Sequence, residues 1–187
     1  MEGIFKDLPT FETDRLVLRK AREEDIHDIY EYASEQEISR YTPWNFHKTI
    51  DTTQKLVEII QDNYNNDKES DWVIELKENN KVIGLCGFVR WNKHHNRIEV
   101  AYSLSRSHWG KGYTTEAVEQ LVKFGFENMQ LNRIEAKVSQ ENSASIKVLE
   151  KLGMKPEGIL RDYWFKNGEY TTVQTYSVIK SDWVNSL

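Results

Sequence analysis

The sequence predicts one α/β (α+β) domain built on a mixed β-sheet flanked by helices. Three observations carry that expectation. The 187 residues, 39% hydrophobic and 29% charged, suit a single folded unit, residues 1–187, with a sizeable core. Segments that read as strands and helices follow the order β-α-α-β-β-β-α-β-α-β-β, which belongs to sheets of mixed direction. The stretch Ser107-His108-Trp109-Gly110-Lys111-Gly112-Tyr113-Thr114-Thr115-Glu116-Ala117 sets two glycines between a strand pattern and a helical one.

Taken in order, Arg15–Arg19 alternates and reads as the first strand. Ala21 to Ser34 reads as a helix, because Glu23, Glu24 and Asp25 load its first turn with acid while Ile26, Ile29, Tyr30 and Ala33 give an apolar face. Ile38 to Phe46 holds Tyr41, Pro43, Trp44 and Phe46 in irregular structure, and a second helix spans Thr49 to Tyr64. The polar run Asn65 to Asp71 reads as a surface turn. Trp72–Leu76 and Lys81–Val89 then form an antiparallel hairpin about Glu78-Asn79-Asn80. Asn92 to Asn96 is a loop and Arg97 to Leu104 the next strand. A helix covers Thr114 to Asn128, a strand Arg133 to Val138, and a helix Ser143 to Leu152 closed by Gly153. Strands at Gly158 to Phe165 and Thr172 to Ile179 flank an Asn167-Gly168 hairpin turn.

The glycine turn reads either as a plain structural loop or as a site of chemistry. Glycine lets the chain turn tightly and approach a ligand closely. The helix start then presents free N–H groups and the positive end of its dipole. Successive amides of this kind form a nest for an anion, and phosphate is the expected guest. A phosphate-binding P-loop is rejected, because Gly110-Lys111 is followed by Gly112 rather than Ser or Thr.

Composition excludes other classes. The net charge of -5 argues against binding nucleic acid through its phosphates. The single cysteine, Cys86, rules out an internal disulfide and a four-thiolate metal site, and fits a reducing, cytoplasmic location. Cys86 lies in an apolar strand with no nearby histidine, so a buried inert thiol is expected rather than an acyl-carrying nucleophile. His94 and His95 are adjacent and lack a third ligand at useful spacing, so no metal is expected. No apolar run is long enough for a membrane span, and the opening MEGIFKDLPTFETDRL lacks the apolar core of a secretion signal.

Three stretches in sequence order, ETDRLVLRKAREEDI, IEVAYSLSRSHWGKGYTTEAV and NSASIKVLEKLGMKPEGILRDY, resemble the GCN5-related N-acetyltransferase superfamily, and within it the ribosomal-protein N-acetyltransferase branch. The resemblance covers nearly the whole chain. It implies a twisted mixed sheet splayed at its middle, and acetyl-coenzyme A as donor. It places the cofactor diphosphate on Gly110, Lys111, Gly112, Tyr113, Thr114 and Thr115, the pantetheine arm along the backbone at Leu104, and a cofactor contact on Asn142. The family often carries Gln or Arg three residues before the first glycine. Here Ser107 stands there, with Arg106 beside it.

For the chemistry, the resemblance points to Glu99 as general base, acting through a water; an ordinary strand residue paired with Arg97 or Arg133 is the other reading. Many relatives protonate the leaving thiolate with a tyrosine of the last helix. Leu149 takes that place here, and Ser145 is the substitute that this branch suggests; a hydroxyl satisfying the helix start is the alternative. Tyr41 and Trp44 (with Phe46), and Tyr163 (with Phe165 or, on the other face, Trp164), are expected to wall the acceptor or to pack in the core.

An α-amine, with a pKa of about 7.7–8.0, is roughly a tenth neutral at pH 7, whereas a lysine amine near 10.4 is neutral in under about a thousandth. An α-amine acceptor thus needs little help from a base. The expected function is direct transfer of acetyl, in a ternary complex, to a protein N-terminal α-amine such as that of a ribosomal protein. Alternatives are a small amine (amino acid, polyamine or drug) as acceptor, or a binding module without turnover. Members of the superfamily often dimerise, so a homodimer is an expected state.

Overall fold

The computed structural model describes residues 3–185; positions 1–2 and 186–187 of the expected domain lie outside the described residues. Among these, eight strands form one sheet: β1 (Phe11–Glu12), β2 (Leu16–Arg19), β3 (Asp71–Leu76), β4 (Val82–Asn92), β5 (Arg97–Leu104), β6 (Arg133–Ser139), β7 (Lys155–Lys166) and β8 (Glu169–Ile179). Their order across the sheet is β1-β2-β3-β4-β5-β6-β8-β7. Every neighbouring pair is antiparallel except β5 and β6. Among the described residues five α-helices are present: α1 (Ile26–Ala33), α2 (Ile50–Asn65), α3 (Tyr113–Glu127), α4 (Ser143–Lys151) and α5 (Lys180–Val184).

The parallel pairing decides where function can sit. β5 and β6 are in register only from Arg97↔Arg133 to Glu99↔Glu135. Beyond Glu99, β5 stays paired to β4 as far as Gly84↔Leu104 while β6 continues alongside β8 to Ser139↔Val173. The sheet therefore splits in the middle and opens a cleft between Val100–Leu104 and Ala136–Ser139.

Helices cover both faces. The pleat sends consecutive residues of β5 in opposite directions. Tyr102 reaches Ser145 of α4, while Ser103 faces Tyr32 of α1. Accordingly α1 and α2 pack together on one face, and α3 and α4 on the other. The α3 side is an aromatic and aliphatic core: Trp72 meets Phe88 and Phe124 edge-on, and Leu121, Val122 and Phe126 are fully buried. At the opposite end of the sheet, Arg19 bridges Asp25 (2.8 Å) and Glu75 (2.6 Å), tying β2 to β3 and to the turn before α1.

The differences from the sequence reading are local. The acidic segment Glu23–Asp25 is a separate 3-10 turn, and the α-helix proper begins at Ile26. β4 runs through Asn92, into the stretch expected to be loop, by way of a register shift between Val89 and Asn92. Arg90 adopts a left-handed φ of 55° there. β7 starts at Lys155, directly after the turn in which Gly153 (φ 73°) and Met154 donate to the carbonyls of Glu150 and Leu149. β3 begins at Asp71, a residue that the polar composition had assigned to the preceding turn. β1 and α5, of two and five residues, are too short for periodicity to reveal.

Candidate active site

The cleft begins at the glycine turn. Gly112 is the N-cap of α3 and, like Gly110, has a left-handed backbone (φ 85° and 74°). The first intrahelical bond runs from the Glu116 N–H to the Gly112 carbonyl, at 3.1 Å. The amides of Tyr113, Thr114 and Thr115 are hence the free first-turn donors of the helix. A Cβ at Gly110 would meet nothing within 4 Å, so the turn is open to a ligand. Such an arrangement can hold a diphosphate through main-chain donors.

Arg15 joins this turn, which its sequence position gave no reason to expect. Its Nη1 donates to the Lys111 carbonyl (3.0 Å) and its guanidinium lies 4.4 Å from the centre of the Tyr113 ring. Glu116 holds it there (2.8 Å from Nε), and also accepts from the Thr13 hydroxyl (2.6 Å). Although burial opposes it, these hydrogen bonds from Thr13 and Arg15 hold the Glu116 carboxyl below its ordinary range. The result is a positive side chain braced beside the free amides.

Along the cleft, the Ser105 N–H donates to the Ile83 carbonyl (2.7 Å). In an antiparallel ladder the main-chain groups alternate in direction. Ser103 and Ala101 therefore also turn theirs toward β4, and Tyr102 and Leu104 turn theirs into the split. The Leu104 carbonyl is taken by the Trp109 indole (2.7 Å). What faces the cleft is the Leu104 N–H together with both main-chain groups of Tyr102.

At the far wall, Asn142 caps α4: its Oδ1 accepts from the Ser145 N–H at 3.1 Å. That leaves its side-chain N–H groups without a partner among the described residues. The Ser145 hydroxyl lies 2.7 Å from the Tyr102 hydroxyl. Burial pushes the Tyr102 phenol up to about 12, with the bond to Ser145 opposing. Leu149 is fully buried in the core, so that turn of α4 packs inward, away from the cleft.

Glu99 sits at the root of the split, 7% exposed. Its partners are neither Arg97 nor Arg133, which both bind Glu135. Instead Arg90 holds its Oε1 (2.7 Å) and Lys137 its Oε2. Arg90 reaches it because of the bulge in β4, and Lys137 because β6 diverges there. Arg133 also pairs with Glu157, at 2.7 Å. This ion-pair network thus joins four cations (Arg90, Arg97, Arg133, Lys137) to three carboxylates (Glu99, Glu135, Glu157).

The aromatic residues divide. Tyr163 is 46% exposed, with the Lys137 ammonium 5.6 Å from its ring centre. The bulge between Leu160 and Trp164 breaks simple alternation around it. Trp44 and Phe46 pack partly against the core, and Tyr41 is half-buried beneath the Arg40 guanidinium. The β7–β8 tip does dock on their loop, since Lys166 donates to the Ser39 carbonyl and Asn167 to Asn45. Cys86 is fully buried, and burial, with Asp71 adding, pushes its thiol well up.

Comparison with known proteins agrees with this layout. The family described as "Acetyltransferase (GNAT) domain" matches residues 15–155. An uncharacterized N-acetyltransferase, p20, of Bacillus licheniformis is 37% identical over 94% of this chain and 99% of its own. The ribosomal-protein-S5-alanine acetyltransferase of Vibrio fischeri superposes with a TM-score of 0.81 at 24% identity, covering 94% and 98% of the two chains. Spermidine N-acetyltransferase of Vibrio cholerae, solved with CoA and spermine, superposes with a TM-score of 0.79 at 24% identity, covering 92% and 100%. A split mixed sheet that leads into an amide-lined glycine turn, in a chain so closely related to named N-acetyltransferases, makes this protein a member of the GNAT acetyltransferase family.

Proposed function

We propose that this N-acetyltransferase moves the acetyl group of acetyl-coenzyme A to the α-amine of a protein N-terminus, such as that of a ribosomal protein, by direct attack in a ternary complex. The observation that carries the donor is the run of β5 left unpaired on its β6 side, opening onto the amides of Tyr113, Thr114 and Thr115. The coenzyme A-bound relative of the same fold supports it.

The amides of Tyr113, Thr114 and Thr115, with Lys111 and Arg15, hold the diphosphate. The Leu104 N–H and the Asn142 side-chain amide take the pantetheine arm. When bound, acetyl-coenzyme A supplies a thioester carbonyl. The Tyr102 N–H, aimed into the split, stabilises the charge that develops on its oxygen. Ser145 offers its hydroxyl to the departing sulfur. A thiol with a pKa near 8.5 needs only modest help to leave. Cys86 takes no part, being sealed in the core.

The acceptor lies on the α1/α2 face, between the Tyr41–Trp44 loop and Tyr163. Its charge favours an α-amine over a polyamine. The ion-pair network there has no carboxylate to spare for a second ammonium, and Arg90 and Lys137 oppose a polycation. The test is a thiol-release assay with acetyl-coenzyme A, comparing peptides with free and blocked α-amines against spermidine. Turnover of free-amine peptides, abolished by blocking, is expected. Preference for spermidine would move the acceptor to small amines. Coenzyme A binding without turnover on any amine would leave a binding module.

A further inference from the structure

Among the described residues, the acceptor face holds a carboxyl over the sheet that no ion pair reaches. Asp71 opens β3 and is half-buried. It pairs with Gly87 on β4, which in turn pairs with Ala101 on β5. Directly opposed residues share a face, and this is the face of Glu99 and Ser103. Gly87 has no side chain to fill the space: a Cβ there would stand 2.4 Å from the Asp71 Oδ1. The carboxyl therefore lies over β4, beside the exposed Ala101 at the edge of the split.

A second group points to the same place. The Tyr32 hydroxyl, on a residue only 3% exposed, makes no hydrogen bond of full geometry among the described residues, although the Ser103 side chain lies close enough to perturb it. A buried polar group left alone is costly and calls for a reason. Burial pushes its phenol up, with Ser103 opposing and Asp71 adding. From α2, the Tyr64 hydroxyl donates to the Asp71 carbonyl (2.5 Å) and fixes the main chain. The groups beside the carboxyl are thus Tyr32 and Tyr64, both neutral at pH 7, while Cys86, also neutral, feels it from the opposite face of the sheet. Burial pushes the Asp71 carboxyl up to about 6.

We propose that Asp71 binds the acceptor's ammonium and takes its proton, with the Tyr32 hydroxyl as the second hydrogen-bond partner. The assignment rests on the acetyl-transfer reading. An N–H bond of the ammonium breaks and an O–H bond forms on Asp71. The freed lone pair forms the C–N bond to the thioester carbon. The C–S bond then breaks, and the sulfur takes the second proton that the nitrogen sheds. Asp71 returns its proton to solvent as product leaves.

Magnitudes favour this residue. Transfer from an α-amine to a carboxyl near 6 is uphill by about two pKa units, against about four for an ordinary aspartate near 3.9. A lysine amine would face more than four even here. Glu99 already has both oxygens committed to cations.

The test uses the full chain, acetyl-coenzyme A and a synthetic peptide with a free alanine α-amine. Asp71→Asn should lower kcat/KM for the peptide about 100-fold at pH 6.5, with the deficit closing above about pH 8.5, where the amine is neutral unaided. Coenzyme A binding by calorimetry should not change, and Glu99→Gln should give a smaller, pH-independent loss. Independently of turnover, NMR of ¹³C-labelled aspartate should show one carboxyl, missing in Asp71→Asn, titrating near pH 6. An unaltered Asp71→Asn rate, a loss of constant size from pH 6 to 9, or a midpoint near 4 would overturn the assignment alone. A parent protein that acetylates neither this peptide nor spermidine would overturn the transfer reading and this assignment with it.

Discussion

The Tyr102 and Ser145 hydroxyls are 2.7 Å apart, joining a strand that borders the cleft to the first turn of α4. With the phenol pushed up to about 12, proton transfer to a thiolate near 8.5 is uphill by about 3.5 units, or about 5 kcal/mol. In the proposed transfer Tyr102 thus orients rather than protonates: either hydroxyl can donate across this pair, and with Tyr102 as donor the serine hydrogen is left to meet the sulfur. Tyr102→Phe and Ser145→Ala should each lower kcat about tenfold and leave the KM for acetyl-coenzyme A unchanged. The double variant should lose no more than either single one, a coupling that a double-mutant cycle measures.

At the glycine turn, backbone conformation matters more than space. A Cβ on Gly112 would meet only the Arg15 Nη2, at 3.5 Å, but the left-handed φ of 85° strains any L side chain. Gly112→Ala should cost about 1 kcal/mol in urea unfolding and weaken coenzyme A binding by calorimetry. Gly84→Ala is a contrast. Its Cβ would lie 2.4 Å from the Ser103 carbonyl, so it should destabilise the protein more while leaving the turn's φ angles untouched.

These two sites also mark what could be read from the sequence. The glycine turn was legible because its signals are local: β-branched residues before it, two glycines, then apolar residues at helical spacing. Asn142 and Ser145 were singled out through the resemblance alone, and both lie at the start of α4. The partners of Glu99 were not, because Arg90 depends on a bulge in β4 and Lys137 on the divergence of a parallel neighbour. Tyr102 read as an ordinary strand aromatic, since only the packing of α4 gives its hydroxyl a partner. Asp71 was hidden inside a polar run that looked like a surface turn. Local chemistry thus fixed the elements, while the groups that meet across the cleft depended on register and packing.

Acid should loosen the brace on the glycine turn. The folded-state pKa of Glu116 is depressed, so its contribution is present above the ordinary carboxylate range and lost as pH falls through the folded value. Glu116→Gln should lower the melting temperature at pH 7, and the gap to the parent should shrink progressively below about pH 4. Thermal melts of both proteins from pH 3 to 7 check this. Coenzyme A affinity should fall in the variant as Arg15 is released from its place beside Lys111.

Asp71 should show the opposite sign. Its folded-state pKa, about 6, is raised above the ordinary 3.8, so its native charge is penalised. Relative stability is then full below about pH 4 and lost as pH rises through 6. The difference of about 2.2 units corresponds to at most about 3 kcal/mol, less what residual water around a half-buried carboxyl recovers. Asp71→Asn carries no such penalty. Its melting temperature should match the parent's near pH 4 and exceed it by several degrees at pH 8. A structural carboxylate would behave in reverse, its loss destabilising most at neutral pH. A variant that is more stable at pH 8 and slower at pH 6.5 would mark Asp71 as a group retained for chemistry at the expense of the fold.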